Sequence, residues 1–212
     1  MNGSTAITAR GERAGRSSRE AAPFRGWAAF VREALANPRN VGALLPSSKT
    51  LARHLARHTR PEAGGLTVDL GAGTGVVTAA LLDRGVPPGQ LVAVERAPAL
   101  SEILRTRFPG IRVVCGDAAE LRRLLRRQLR EAPDGPVQIV SSLPLRTLPE
   151  PVVRSILREI AALLGTEGVW VQYTYALAHR RVPPGFRRRE SSFVWKNVPP
   201  ARIDVFTVDK TG

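Results

Sequence analysis

The sequence predicts an α/β fold: a mostly parallel seven-stranded sheet that ends in an antiparallel hairpin, preceded by N-terminal helices. Three observations carry this. After Gly64-Gly65, short apolar runs alternate with helical segments, the pattern of a parallel sheet covered on both faces. The last two runs, Phe193–Asn197 and Ile203–Val208, are separated by little more than a Pro199-Pro200 corner, and so short a connection joins antiparallel strands. Before Gly64, apolar residues recur with the helical period.

In chain order, residues 1–22 are Gly, Ser, Ala and Arg without an apolar period, which predicts a flexible basic tail. Residues 23–60 follow as a helical segment. Phe24, Trp27, Val31 and Leu35 recur at helical spacing, with Phe30 alongside and Arg25, Arg32 and Glu33 on the opposite arc. Asn37-Pro38 ends that helix, because a residue before proline resists helical geometry. A second helix is expected to start at the N-cap pair Ser47-Ser48 and run towards Thr59. Residues 61–212 form the α/β domain. Its strands are expected at Leu66–Leu70, Leu91–Glu95, Ile111–Cys115, Val137–Ser141 and Val169–Tyr173, and its helices near Val76–Asp83, Ala99–Arg107, Ala118–Arg130 and Pro151–Leu164.

Composition excludes several classes. With 212 residues, 43% of them hydrophobic, a core is available and wholesale disorder is excluded. The longest apolar runs, such as Ala161 to Leu164, fall far short of the roughly 20 residues that span a bilayer. No secretory leader is expected, and the single Cys115 leaves no internal disulfide or multi-thiolate metal site, which suits a reducing cytosol. Cys115 is expected as a small core residue of a buried strand. His54 and His58 have helical i, i+4 spacing, but His-Leu-Ala-Arg-His lacks the glutamate of the zinc motif, so no metal is expected.

The net charge of +14 points to an anionic partner, nucleic acid or membrane. Its distribution discriminates better than its size. Residues 1–60 hold 11 basic and 3 acidic residues, and further excess sits in Arg122–Arg130 and Arg180–Arg189. The remainder of the chain is close to neutral, so the charge is peripheral.

The most informative motif is Asp69-Leu70-Gly71-Ala72-Gly73-Thr74-Gly75, between the first strand and a helix. Gly71, Gly73 and Gly75 let the backbone turn tightly and admit a ligand. The spacing G-x-G-x-G differs from the dinucleotide fingerprint G-x-G-x-x-G, and an acidic residue stands two before the first glycine. Asp69 suits the ammonium of S-adenosylmethionine, directly or through water, with Thr74 in the same turn. Glu95 ends the second strand, where a carboxylate accepts from ribose hydroxyls; the alternative is an ion pair with Arg96. Asp117, in Gly116-Asp117-Ala118 after the third strand, suits the adenine amino group or a helix N-cap, or both. These elements close three successive strands, the arrangement of a Rossmann-like class I methyltransferase.

The fourth strand leads into Ser141-Ser142-Leu143-Pro144-Leu145. Amino-methyltransferases of adenine and cytosine have Asn/Asp-Pro-Pro-Tyr or Asn-Leu-Pro-Tyr there. Ser142 replaces the amide and Leu145 the aromatic, so a flipped base loses its acceptor and its stacking platform. At this point the chain resembles the bacterial phospholipid N-methyltransferases, relatives of the ribosomal RNA adenine dimethylases. The resemblance runs from Trp27 to Phe206. It is carried by Asn37–Ala43, Pro46-Ser47-Ser48, Asp69–Gly75, Val94-Glu95-Arg96, Ser142–Leu145, Gln172–Tyr175 and Phe193–Arg202. Two positions depart from the pattern: Asp69 stands where Glu is usual, and Ser142 where Gly is expected.

The resemblance implies methylation of phosphatidylethanolamine towards phosphatidylcholine, with S-adenosylmethionine as cofactor and Ser47 and Ser48 in a loop that covers it. It implies a monomer, peripheral on the cytoplasmic face of the inner membrane. No nucleic-acid partner is expected, since dimethylases continue into an RNA-gripping helical domain and this chain stops just after its hairpin. The competing classes are an RNA or protein N-methyltransferase and a cofactor-binding module without activity.

In-line methyl transfer needs a neutral amine opposite the leaving sulfur, so alignment outweighs acid–base help. A quaternary ammonium product is best tolerated by aromatic faces and carbonyl oxygens. Tyr173, Tyr175 and Trp195 are the aromatic candidates, with Tyr175 nearest the strand end, and Ser141 to Leu143 supply backbone acceptors. Phe24, Trp27, Phe30 and Val31, with Arg25 and Arg32, form the expected interfacial helix on an anionic membrane; packing onto the domain is its alternative.

Overall fold

The computed structural model describes residues 46–174, 182–195 and 200–209. The basic tail, the Phe24–Ala36 helix and Tyr175 lie outside them. The strands are β1 Thr67–Leu70, β2 Leu91–Glu95, β3 Arg112–Cys115, β4 Gln138–Ser141, β5 Val169–Thr174, β6 Phe186–Val194 and β7 Ala201–Val208. They form one sheet in the order β3-β2-β1-β4-β5-β7-β6. The first five pair in parallel, while β7 is antiparallel to both β5 and β6. The predicted seven-stranded, mostly parallel sheet with its terminal hairpin is therefore the observed one.

The helices are α1 Pro46–Ala56, α2 Val76–Asp83, α3 Pro98–Arg107, α4 Leu121–Leu124, α5 Arg126–Glu131 and α6 Glu150–Leu164. The sheet has a core on each face. On one, Leu51 and Leu55 of α1 and Leu81 of α2 pack against Val140, Val171 and Ile203. On the other, Ile156 and Ile160 of α6 meet Val68, Ile139 and Trp170. Trp170 also packs on Phe206 and Phe186, with ring centroids 4.8 and 5.0 Å apart. Strands β1, β2 and β4 are buried on both faces, and their polar residues Thr67, Asp69, Glu95, Gln138 and Ser141 are buried with them.

Four expectations are corrected. The single helix expected over Ala118–Arg130 is a 3-10 turn, Ala118–Glu120, followed by α4 and α5. The break falls at Leu125 (φ −95°, ψ 5°), and Leu121 and Leu125 are both fully buried. The first strand of the hairpin runs from Phe186 to Val194 and starts seven residues before the expected Phe193. Its apolar alternation is hidden by a bulge between Arg188 and Glu190 and by a charged cluster. Arg188 Nε lies 3.1 Å from Asp204 Oδ1 and Arg202 Nη2 lies 3.0 Å from Asp204 Oδ2, while Ser191 Oγ donates to Oδ1 at 2.8 Å. Cys115 is exposed rather than core, because β3 is the edge strand and Cys115 its last residue. Finally, α1 begins at Pro46, so Ser47 and Ser48 lie within its first turn rather than capping it.

His58 sits 3.3 Å from Glu190 through Nδ1. Among the described residues no cluster of His, Cys, Asp and Glu is arranged to hold a metal, and no helix is long and apolar enough to cross a membrane.

Candidate active site

The carboxyl ends of β1, β2 and β4 lie side by side, and backbone bonds lock their exit loops together. Gly71 N and Ala72 N donate to Val94 O at 2.9 and 3.2 Å, Ser142 N to Leu70 O at 2.9 Å, and Gly116 N to Glu95 O at 3.0 Å. Gly71 has φ +78°, and a Cβ there would stand 2.9 Å from Leu143 Cδ2. Glycine thus lets the turn after β1 and the turn after β4 approach one another. Gly75, at φ +83°, precedes α2, and a Cβ there would meet the Phe108 ring at 2.4 Å.

Glu95 is 6% exposed and accepts two backbone amides: Gly73 N to Oε2 at 2.9 Å and Ala97 N to Oε1 at 2.8 Å. Each oxygen keeps acceptor capacity for a ribose hydroxyl. Arg96, the chain neighbour of Glu95, makes an ion pair with a different carboxylate. That arginine turns to Asp117, with Nε 3.5 Å from Oδ2. Asp117 Oδ1 accepts from Ala119 N at 2.9 Å, so its capping role is present. Beyond the turn, Arg107 Nη1 donates to Thr74 O at 2.8 Å and pins the glycine loop. Ala118, beside Asp117, is buried.

Asp69 is completely buried under the turn, and its Oδ2 accepts from Thr78 Oγ1 at 2.6 Å. Burial pushes its carboxyl up to about 7, the Thr78 hydrogen bond opposes this, and the Glu95 charge adds to it. Its Oδ1 has no partner, so acceptor capacity for a cationic ligand group remains beneath the loop. The open glycine turn, the acceptor capacity of Glu95 and this orphaned oxygen fit an adenosyl ligand with an amino acid head.

Ser141 is fully buried, and its Oγ accepts from Leu143 N at 3.3 Å, shaping the turn after β4. Gln172 on β5 completes it. Its amide is 4% exposed, and Nε2 donates to Leu143 O at 3.1 Å and to Tyr173 O at 2.8 Å. Gln172 Oε1 and Trp170 Nε1 are both buried without a partner, and both residues border one cavity of about 50 Å³. A water there can accept from the indole and donate to the amide oxygen.

The structure therefore brings together Asp69, Gly71, Gly73, Thr74, Gly75, Glu95, Arg96, Asp117, Ser141 and Leu143. It does not bring all the aromatics there. Tyr173 is half-buried against the core on the α1 face, and Trp195 is 66% exposed at the end of β6. Ser47 and Ser48 are placed by their backbone only. Phe24, Arg25, Trp27, Phe30, Val31, Arg32 and Tyr175 lie outside the described residues. Gln172, Thr78 and Arg107 are additional to the sequence-based set. Gln172 carried a usable signal, a primary amide inside the apolar run Val169–Tyr173, whereas the contacts of Thr78 and Arg107 emerge only in three dimensions.

Residues 67–168 match the family model described as a methyltransferase domain. The ornithine lipid N-methyltransferase of Singulisphaera acidiphila is 33% identical over 170 residues, 76% of this chain and 85% of that protein. The rRNA adenine N-6-methyltransferase of Streptomyces fradiae is 42% identical over 74 residues, covering 32% of this chain and 22% of that enzyme. Among solved structures, the 1,6-didemethyltoxoflavin-N1-methyltransferase of Burkholderia thailandensis, with bound S-adenosylhomocysteine, superposes with a TM-score of 0.61 at 18% identity, over 91% of this chain and 93% of that one. These likenesses place the glycine turn, Glu95 and Asp117 in a class I methyltransferase fold whose cofactor is S-adenosylmethionine. With a lipid-modifying relative matched along most of both sequences, the chain belongs to the bacterial lipid N-methyltransferase family.

Proposed function

We propose that this enzyme methylates the primary amine of phosphatidylethanolamine, and its mono- and dimethyl forms, at the surface of an anionic membrane. The observation that carries the reading is the turn after β4. It presents Ser142-Leu143-Pro144-Leu145 with no amide or aromatic side chain to hold a base, and its Leu143 carbonyl is steadied by Gln172. A turn without those groups suits a small amine, which needs acceptors for its hydrogens and no stacking surface.

Bound S-adenosylmethionine supplies an electrophilic methyl group on a sulfonium. The roles proposed for the chain are to hold and to aim. Glu95 takes the ribose hydroxyls, Asp117 with Ala118 and Arg96 frames the adenine, and the Gly71–Gly75 turn leaves room for the remainder. Asp69 balances the cationic head from below, and Ser47 and Ser48 belong to the cover. The backbone from Ser141 to Leu143 orients the acceptor amine, and Tyr175 and Tyr173 are the aromatic candidates beside the increasingly methylated nitrogen. The segment 23–60 acts as interfacial helix and cover, and residues 1–22 as a basic tail that strengthens contact with anionic lipid. We place the enzyme on the cytoplasmic face of the inner membrane as a monomer, with no nucleic-acid partner.

The relative from Singulisphaera acidiphila supports a second acceptor, the free amine of an ornithine lipid. Incubation with labelled cofactor and vesicles of either lipid, followed by separation of the products, tests both. Label in mono-, di- and trimethylated phosphatidylethanolamine is the expected result. Label confined to ornithine lipid would move the activity to that acceptor, and label only in ribosomal RNA or protein would overturn the lipid reading.

A further inference from the structure

Resting on the lipid-acceptor reading above, we propose that Phe193 and Trp195 at the end of β6 form a second lipid contact, which seats the substrate rim of the sheet on the bilayer. Phe193 is 42% exposed and Trp195 66% exposed, and their rings stack with centroids 5.5 Å apart and planes at 21°. Their exposure does not reflect a core too small for aromatics, since Trp170, Phe186 and Phe206 are buried together at the other end of the same three strands. Val194, between the two, is buried. The strand alternation therefore turns one apolar residue into the core and two large aromatics outward, on the side where an edge strand ordinarily carries polar groups.

The position matters as much as the exposure. Phe193 stands opposite Arg202, and Arg202 opposite Thr174, the last residue of β5. The aromatic pair thus lies at the carboxyl end of the parallel strands, the same end as the glycine turn, Glu95 and Leu143. The strand order puts β6 three spacings from β4, about 14 Å at the usual strand separation. Inserting the pair into a headgroup layer brings the turn after β4 towards the lipid, where a headgroup amine can reach it.

Charge selects the partner. Arg187 and Arg189 on β6 and Arg146 just beyond the Ser142–Leu145 turn are exposed, and Glu190, the single acid on β6, lies against His58. Arg187 and Arg189 lie six and four residues before Phe193 on the same strand, and an aromatic end on a strand that carries exposed arginines suits the boundary between anionic headgroups and acyl chains. A second copy of the chain is a poor occupant, because each copy carries a net +14.

The test uses the full chain on vesicles of phosphatidylethanolamine with phosphatidylglycerol, and on vesicles of phosphatidylcholine alone. Phe193→Ser and Trp195→Ser should each weaken sedimentation with the anionic vesicles at least fivefold and lower methyl transfer to vesicle lipid in step. Brominated acyl chains should quench wild-type fluorescence more than that of Trp195→Phe. Phe193→Ser should retain the wild-type melting temperature and transfer to monomeric short-chain phosphatidylethanolamine. Unchanged vesicle affinity with no difference in quenching would overturn the proposal. So would loss of transfer to the monomeric lipid, which would put Phe193 in the acceptor pocket, or a wild-type dimer that the substitutions dissolve. Vesicle affinity and quenching need no turnover, so they still judge this contact if neither lipid accepts a methyl group and the lipid-acceptor reading fails.

Discussion

The amide of Gly73 donates to Glu95 Oε2 across 2.9 Å and ties the glycine turn after β1 to the carboxyl end of β2. One carboxylate thus holds the loop, and in the role proposed above its remaining acceptor capacity serves a ribose. Glu95→Ala removes both, and hydrogen bonds to a charged group are worth about 1.5–3 kcal/mol each. Cofactor affinity measured by calorimetry should fall roughly 10- to 100-fold, with Glu95→Gln in between. Unchanged affinity in Glu95→Ala would remove the ribose role.

Asp69 gives the enzyme a pH signature. Its buried carboxyl holds a proton to about 7, against an ordinary value of 3.8. The folded state therefore binds more protons than the unfolded state between these values. The associated stability is fully present below pH 3.8, is lost as pH rises, and is gone above about 7. Asp69→Asn lacks this dependence. Denaturant titrations from pH 4 to 8 should show the variant gaining on the wild type, on the order of a few kcal/mol in total. Cofactor affinity should rise with pH through about 7 in the wild type alone, because a cationic head favours the ionised carboxyl.

Gln172 separates binding of the cofactor from presentation of the acceptor. Gln172→Leu removes the side-chain donor to Leu143 O and leaves the Leu145 amide as the donor to that carbonyl, a loss of about 0.5–1.5 kcal/mol. The expected outcome in steady-state kinetics is a kcat lowered roughly 2- to 10-fold with cofactor affinity unchanged. Equal losses in both would make Gln172 a general support of the sheet.

The Asp204 cluster is structural. Asp204→Ala leaves Arg188 and Arg202 facing one another in a mostly buried position, and breaking a buried pair costs about 3–5 kcal/mol. For a domain of this size the melting temperature should fall by roughly 10 °C. A change of a degree or two would show that the arginines find other partners.

The legible parts of this fold were those encoded locally. Gly71–Gly75, Glu95 and Asp117 each follow directly on an apolar strand, so their place at the carboxyl ends was readable from order alone. Features set by tertiary neighbours were not. Cys115 reads as core until β3 proves to be an edge strand. Arg187 to Arg189 read as peripheral charge outside any strand because the partner that lets Arg188 sit in one, Asp204, is far along the chain. The break at Leu125 has no local signal, because Leu121 and Leu125 keep the i, i+4 spacing of a continuous helix. The bond from Gln172 to Leu143 joins β5 to the turn after β4, 29 residues earlier in the chain.

The central claim is that the transferred methyl group ends on a lipid amine. Its most direct measurement is mass spectrometry of total lipid and ribosomal RNA from a bacterial host that contains phosphatidylethanolamine, lacks methylated lipids and expresses this chain. The expected result is phosphatidylethanolamine carrying one, two and three added methyl groups, all absent when Glu95→Ala is expressed to the same level. An unchanged lipid profile beside newly methylated adenine in ribosomal RNA would contradict it.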